Sequence, residues 1–176
     1  MSNVGKWAQW YDGKTEPIPY GDTPTYQIAA MFLSGIAVED WGCGYAWFKG
    51  VHNGPYWGVD GTRTPFCDEH DDLAKRRSQT PSVLLRHVLE HNAEWRDILA
   101  NALASAEQRI VIIVFTPDGK GEPCGYTEGL DIYDYAIPHV AIDDALRDAG
   151  FTISERMVLH TPTQYGIETV WLAQRE

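Results

Sequence analysis

The side chains best suited to chemistry in this chain lie in one short segment, Val38-Glu39-Asp40-Trp41-Gly42-Cys43-Gly44. Its carboxylate, Asp40, stands just ahead of a Gly-x-Gly turn and follows a short apolar run that favours a strand. A strand that ends in a glycine-rich turn and leads into a helix can bring bare backbone amides up to an adenosine-type ligand. A second strand-like run, 56–60, ends in Asp60, at the offset where a carboxylate binds a ribose. The spacing therefore predicts a nucleoside-binding crevice.

The elements that must position these residues alternate between strands and helices. Apolar patterning predicts strands over 36–40, 56–60, 82–86, 109–115, 151–159 and 167–173. A further strand is predicted over 67–72, although its sequence is unusually polar for a buried strand. Helices are predicted from Pro24 to Gly35 and over 93–106 and 141–149, with a short helical segment over 45–53. The last two strands have no helix between them, which predicts an antiparallel hairpin. Alternation of this kind indicates a doubly wound, mostly parallel α/β sheet with ligand sites at the carboxyl ends of its strands.

A single domain over residues 1–176 is the natural expectation for this length. Two parts of it carry no predicted helix or strand. The first is an aromatic arm over 1–25, and the second is a loop over 116–139 that is rich in glycine, tyrosine and carboxylates. A loop of that length in a compact domain is usually functional or mobile, so we expect both parts to lie near the site.

Composition excludes several classes of function. The formal net charge of −11 argues against a nucleic-acid substrate, because such affinity depends on Lys and Arg contacts; the one basic cluster, 75–77, is predicted to be a solvated loop. Three cysteines, Cys43, Cys67 and Cys124, fit a reducing compartment rather than a disulfide framework. Cys67-x-x-His70 lacks a second ligand pair, so no metal is expected. With no apolar span or signal-peptide pattern, the sequence predicts a soluble cytoplasmic protein without a membrane partner.

The glycine turn distinguishes between nucleoside cofactors. A dinucleotide site would need a third glycine where Trp47 stands, and an indole there would block close helix–strand packing. The run Val38-Glu39-Asp40-Trp41-Gly42-Cys43-Gly44, with Ala46 where a third glycine often sits, instead resembles the glycine motif of class I methyltransferases, which bind S-adenosylmethionine. Asp60 and the run Leu84-Leu85-Arg86-His87-Val88-Leu89-Glu90-His91 resemble that family's later motifs. The resemblance covers residues 36–173 and implies the Rossmann-like methyltransferase fold.

That resemblance also implies which residues surround the cofactor. They are the residues at the carboxyl ends of the first four strands: Asp40, Gly42, Cys43, Gly44, Asp60, Gly61, Asp72, Leu73, Arg86 and His87. In such a site the two glycines let backbone approach the cofactor, Asp40 meets the methionine ammonium directly or through water, and Asp60 accepts hydrogen bonds from the ribose hydroxyls. The missing helix between the second and third strands leaves the adenine side, bordered by Asp72 and Leu73, more open than in the family.

Methyl transfer to a hydroxyl needs a general base, and a histidine suits proton removal near neutrality. His91 is the first candidate and His87 the second. Tyr11 and Tyr20 of the arm, and Tyr126 and His139 of the long loop, are candidates to contact the acceptor. The sequence thus predicts a methyltransferase for a small-molecule or sugar hydroxyl, although an amine acceptor fits the same residues. The alternatives are a non-catalytic nucleoside-binding scaffold and, less favoured, a dinucleotide-dependent oxidoreductase. An oligomer is compatible with the sequence.

Overall fold

The computed structural model describes residues 3–21, 23–127 and 129–175. Its α-helices are α1 (Val4–Tyr11), α2 (Pro24–Phe32), α3 (Trp95–Ser105) and α4 (His139–Asp148), and two short 3₁₀ turns cover Trp47–Gly50 and Leu89–His91. The strands are β1 (Val38–Trp41), β2 (Tyr56–Asp60), β3 (Glu69–His70), β4 (Thr80–Arg86), β5 (Ala106–Val114), β6 (Pro123–Tyr126), β7 (Tyr133–Tyr135), β8 (Thr152–His160) and β9 (Ile167–Gln174).

Seven of the strands in the described ranges form one sheet in the order β3-β2-β1-β4-β5-β9-β8. The pairs from β3 to β5 are parallel, whereas β9 is antiparallel to both β5 and β8. From β1 the chain adds β2 and β3 on one side and then β4 and β5 on the other, so the strand order reverses between β1 and β4. A crevice for ligands opens at such a switch point. The predicted mostly parallel sheet with a closing antiparallel hairpin is confirmed.

Both faces of the central strands are buried, which explains their continuous apolar sequences. Alternate residues of β5 point to opposite sides of the sheet. Ile110, Ile112 and Val114 join the cluster that α3 and α4 cover, while Val111 and Ile113 join the cluster under α2. Helices on both faces make the fold doubly wound and leave the carboxyl ends of the strands free to build a site.

The two segments that lacked predicted structure contain regular elements. The arm was expected to be irregular, but its residues Val4–Tyr11 form α1, whose aromatic side chains pack over the sheet edge. The long loop holds an antiparallel pair, β6 and β7, in which Tyr126 faces Tyr133. In α1 the residues Val4, Trp7, Ala8 and Tyr11 do have helical spacing, whereas the strands of the hairpin are too short for a clear pattern. Both elements are short, so packing on the rest of the domain stabilises them rather than local propensity.

An ion cluster around Arg76 secures the edge of the sheet where β3 is only two residues long. The Arg76 guanidinium lies 3.2 Å from Glu39, 2.9 Å from Glu69 and 3.0 Å from Asp71, and it packs over the Trp41 ring. Its side chain is only 6% exposed, so the expectation that this basic cluster is a solvated loop was wrong for Arg76. The reason is tertiary: Glu39 of β1 and the carboxylates of Glu69 and Asp71, in and just after β3, converge on it.

We expect Arg76→Met to lower the free energy of unfolding by about 1–3 kcal/mol, because the largely buried Glu39 carboxylate would lose its charged partner. Urea unfolding followed by circular dichroism measures this change. The matched control is Arg77→Met at the exposed neighbouring position. Equal stability of the two variants would contradict a structural role for the cluster.

Candidate functional site

A single large cavity opens at the carboxyl ends of β1, β2 and β4, with a volume of about 2200 Å³. Pockets for one drug-sized ligand measure about 300–1,000 Å³, so this cavity has room for two ligands of that size. The turn after β1 and the end of β2 line one part of it. The segment after β4, the arm and the β6–β7 hairpin line the other part. The predicted crevice and the two segments expected to overhang it therefore meet in one place.

The turn after β1 exposes backbone in a way that only small residues allow. Gly42, Gly44 and Ala46 have φ angles of +73°, +52° and +52°, so the position expected to replace a third glycine does adopt a glycine-like conformation. A side chain at Gly42 would lie 2.4 Å from a methyl of Val88. At Gly44 it would lie 2.8 Å from the Tyr11 hydroxyl, a side chain of the arm. The amides of the turn are used within the protein: Gly42 and Cys43 donate to the Val59 carbonyl, and Gly44 donates to Asp60.

Asp60 lies at the end of β2 and links the glycine turn after β1 to the segment after β2; these two parts together are called the cradle below. Its carboxylate accepts hydrogen bonds from the amides of Gly44, at 2.9 Å, and Thr62, at 2.7 Å. Burial raises the pKa of Asp60, and these two amides oppose that rise by stabilising the charged form. A carboxylate offers about four lone-pair sites, so two remain for hydroxyl donors of a ligand.

Asp40 lies behind the glycine turn and does not form part of the cavity wall. Its carboxyl accepts a hydrogen bond of 2.9 Å from the Tyr56 hydroxyl. Burial raises the pKa of Asp40 to about 7, although the Tyr56 hydrogen bond opposes that rise. Because Asp40 does not line the cavity, a contact through water is the one of its two expected modes that remains open.

The buried Asp40 carboxyl gives a pH-dependent prediction. Because its pKa is raised in the folded state, the folded protein binds more protons than the unfolded chain between about pH 4 and pH 7, and stability falls as pH rises through that range. We therefore expect Asp40→Asn to gain stability relative to the parent at pH 8, by a few kcal/mol at most, and not at pH 4. Urea unfolding of both proteins at both pH values measures this gain. The same difference in stability between variant and parent at pH 4 and pH 8 would contradict the burial argument.

His91 belongs to a buried polar cluster at the other end of the cavity. Its Nδ1 lies 3.1 Å from a carboxylate oxygen of Asp134, which also accepts hydrogen bonds from Thr127 at 2.8 Å and Tyr165 at 2.9 Å. Burial alone would raise the pKa of Asp134, but the hydrogen bonds from these three side chains outweigh it and lower that pKa. Asp134 is therefore a carboxylate that orients His91 and leaves Nε2 as the basic nitrogen.

Arg86 and His87 converge on a second buried carboxylate, Glu168, at the start of β9. Arg86 donates a hydrogen bond of 2.8 Å to Glu168 Oε1, and His87 Nε2 lies 2.7 Å from the same oxygen. Thr25 donates to it as well, at 3.0 Å. Burial and the neighbouring Arg86 charge lower the pKa of His87 well below its usual value. Arg86 and His87 line the cavity as expected, but the Arg86 side chain is committed to this pair.

The arm closes one side of the cavity with aromatic rings. Tyr11 approaches the glycine turn, and burial raises its pKa. Trp7 packs edge-on against the His91 ring at 5.0 Å, and Tyr20 packs edge-on against the His87 ring at 5.3 Å. Tyr11 and Tyr20 thus line the cavity, Tyr11 beside the glycine turn and Tyr20 beside His87.

The other predicted residues divide into two groups. Those that line the cavity are Cys43, Gly61, Asp72 and Leu73. His139 and Tyr126 do not, which corrects the expectation that they face an acceptor. His139 is buried at the start of α4, with its ring 5.0 Å from Trp171 and its Nδ1 3.0 Å from Arg156. Tyr126 stacks on Tyr133 at the solvent-exposed side of the hairpin.

Sequence reasoning missed the two carboxylates that hold the histidines. Asp134 lies 43 positions from His91, and Glu168 lies 81 positions from His87. Asp134 stands among the tyrosines of the long loop, and Glu168 interrupts an otherwise apolar strand. An acidic residue inside a buried strand is a detectable signal, since an unpaired charge there would be costly.

The described residues contain neither a membrane-spanning helix nor a metal-binding cluster. From residue 3 to 175, positions 22 and 128 aside, no helix is both long and apolar enough to cross a membrane. The same residues contain no group of three or more His, Cys, Asp or Glu side chains placed to hold a metal ion.

No family model and no curated protein sequence matches the chain. Solved structures do. The magnesium protoporphyrin IX methyltransferase of Synechocystis PCC 6803, with bound SAH, is 19% identical over 86% of this chain and 80% of that chain, with a TM-score of 0.61. The 1,6-didemethyltoxoflavin-N1-methyltransferase of Burkholderia thailandensis is 17% identical over 87% and 77%, with a TM-score of 0.63. The cyclase SpnF is 11% identical over 92% and 84%, with a TM-score of 0.63.

These similarities show the fold. The chain has the Rossmann-like fold of class I S-adenosylmethionine-dependent methyltransferases, as the glycine motif indicated. A cyclase shares this fold, so the fold alone does not define the reaction, which has to be argued from the site.

Proposed function

We propose that this protein is an S-adenosylmethionine-dependent methyltransferase that acts on a hydroxyl group of a small molecule. One observation carries the proposal: the glycine turn, Asp60 and His91 line the same cavity, and Asp134 lies behind His91 within hydrogen-bond distance of its Nδ1. A nucleoside cradle next to an oriented base is the arrangement that methyl transfer to a hydroxyl requires.

The cradle fits the cofactor in two respects. Gly42 and Gly44 line the cavity and carry no side chains, which suits close approach of a ligand's amino-acid and ribose parts to the backbone. The free lone pairs of Asp60 suit the two ribose hydroxyls. Asp72 and Leu73, farther along the cavity, would border the adenine.

The residues of the acceptor side would move one proton. When bound, S-adenosylmethionine supplies an electrophilic methyl group and a sulfur that leaves with the electrons of the broken bond. His91 Nε2 would take the proton of the acceptor hydroxyl as that oxygen bonds to the methyl carbon. Asp134 would hold the imidazole by its Nδ1–H and stabilise the positive charge that forms on it. The arm would exclude water, because Trp7 and Tyr20 cover the two histidines.

Thermal unfolding with added S-adenosylmethionine, S-adenosylhomocysteine or NAD tests the cofactor assignment. A ligand that binds only the folded state raises the midpoint, so both sulfur nucleosides should raise it and NAD should not. The absence of a shift with either sulfur nucleoside would overturn the proposal. Binding without methyl transfer to any acceptor would instead favour a non-catalytic nucleoside-binding protein.

We expect His91→Ala to retain cofactor binding and to lower kcat by about 10²–10⁴-fold, the usual contribution of a general base. Asp134→Asn should also lower kcat, because the amide cannot stabilise the imidazolium. Transfer of a radiolabelled methyl group measures both. The matched control is His160→Ala at an exposed position on β8. Full activity of His91→Ala would show that another group is the base.

A further inference from the structure

His87 is held in an unusual backbone conformation at the end of β4. Its φ angle is +56°, a left-handed conformation that a residue with a side chain rarely adopts. Strain of this kind persists where the surrounding structure imposes it, and it is concentrated at functional sites. At this position the strain sets the imidazole on the wall of the cavity.

The contacts of His87 determine which of its nitrogens carries the proton. Glu168 Oε1 already accepts hydrogen bonds from Arg86 and Thr25, so it acts as an acceptor and His87 Nε2 must donate to it. The other nitrogen, Nδ1, then carries a lone pair. It is buried and has no hydrogen-bond partner among the described residues. Burial and the neighbouring Arg86 and His91 charges lower the pKa of His87, which favours the neutral imidazole.

His91 has the opposite arrangement. Its Nδ1 donates to Asp134, which leaves the lone pair on Nε2. The two imidazoles lie on the Phe115 ring, with centroids 4.8 Å and 5.3 Å from it, and Tyr20 and Trp7 pack on them in turn. Both imidazoles therefore carry an unshared lone pair within one frame of aromatic rings, and that of His87 Nδ1 is buried among its neighbours until a ligand displaces them. One base is enough for methyl transfer.

We propose that His87 Nδ1 recognises the methyl-accepting substrate. This substrate is a planar ring with two hydrogen-bond donors: one is bound by His91 Nε2 and methylated, and the other is bound by His87 Nδ1. This inference rests on the proposed function for the role of His91. A ligand that offers no donor to His87 Nδ1 leaves that buried nitrogen without a hydrogen bond, which costs binding free energy. His87 would therefore select against rings with a single hydroxyl.

The experiment is imidazole ¹⁵N NMR of the protein saturated with S-adenosylhomocysteine. The probes are catechol, resorcinol and hydroquinone, with phenol and 1,2-dimethoxybenzene as controls. We expect His87 to be protonated on Nε2 and His91 on Nδ1, and we expect at least one diol to shift both lone-pair nitrogens. Phenol should shift at most one of them and dimethoxybenzene neither. A His87 protonated on Nδ1, or diols that leave the His87 resonance unchanged, would overturn the proposal.

Two variants separate recognition from folding. His87→Asn keeps an acceptor oxygen near the position of Nδ1 and tolerates a positive φ, whereas His87→Phe keeps a ring without an acceptor. We expect diol affinity, measured with S-adenosylhomocysteine at saturation in each variant, to fall at least tenfold in His87→Phe and to be partly retained in His87→Asn. Equal diol affinity in the two variants would contradict recognition by His87. Failure of the parent protein to bind S-adenosylhomocysteine would instead contradict the proposed function.

Discussion

Asp60→Ala is expected to abolish measurable binding of S-adenosylhomocysteine. In the proposed function Asp60 accepts hydrogen bonds from two ribose hydroxyls, and the substitution would remove both, each worth about 1.5–3 kcal/mol. It also releases the amides of Gly44 and Thr62, which shape the cradle. A loss of about 3–6 kcal/mol corresponds to a dissociation constant raised between about 10² and 10⁴-fold. Isothermal titration calorimetry measures this change directly.

Two further variants make the Asp60 result specific. Asp60→Asn retains one acceptor oxygen, so its affinity should lie between those of the parent and Asp60→Ala. Glu94→Gln removes an exposed carboxylate elsewhere on the cavity wall and should bind as the parent does. Parent-like affinity in a folded Asp60→Ala protein would show that Asp60 does not contact the ribose.

Glu168→Ala is expected to cause the largest loss of stability, about 3–5 kcal/mol in the free energy of unfolding. Glu168 is fully buried and the Arg86 side chain is 5% exposed, so removal of the carboxylate leaves a guanidinium charge in the interior without its partner. His87 and Thr25 lose a hydrogen-bond acceptor as well. Urea unfolding, analysed for the midpoint and the slope, measures the loss.

An exposed ion pair on α4 provides the matched control. Asp144 and Arg147 are both more than half exposed, and Asp144→Ala should change stability by less than about 1 kcal/mol. Replacing both partners of the buried pair, Glu168→Leu with Arg86→Met, should recover much of the stability, since it is the unpaired charge that is costly. A Glu168→Ala protein as stable as Asp144→Ala would contradict the account of a coupled network.

Local sequence signals predicted the elements that have strong patterns. The range of β2 was predicted residue for residue, and β5, α3 and the last hairpin differ only at their ends. The patterns are strong because these elements are buried on regular faces. The arm helix α1 and the β6–β7 pair were missed, since each is stabilised by contacts with distant parts of the chain. Arg76 was misjudged for the same reason.

The residues of the site also divide into those that the sequence could place and those that only long-range packing places. The glycine turn and Asp60 follow consecutive parallel strands, so their meeting at one sheet edge is a consequence of chain order and could be predicted. The environment of His139 could not, because the start of α4 turns it towards Trp171 and away from the cavity. The same holds for Asp40, which β1 carries to a position behind the glycine turn.

By itself, the sequence determined the fold class, the order of the elements and the nucleoside cradle, because alternating apolar patterns and a glycine turn act over a few residues. Only the tertiary structure decided how the histidines work. Asp134 and Glu168 reach His91 and His87 from remote segments, and each carboxylate selects the nitrogen that keeps its lone pair. Long-range packing sets those contacts, and no local pattern records which distant carboxylate a histidine will meet.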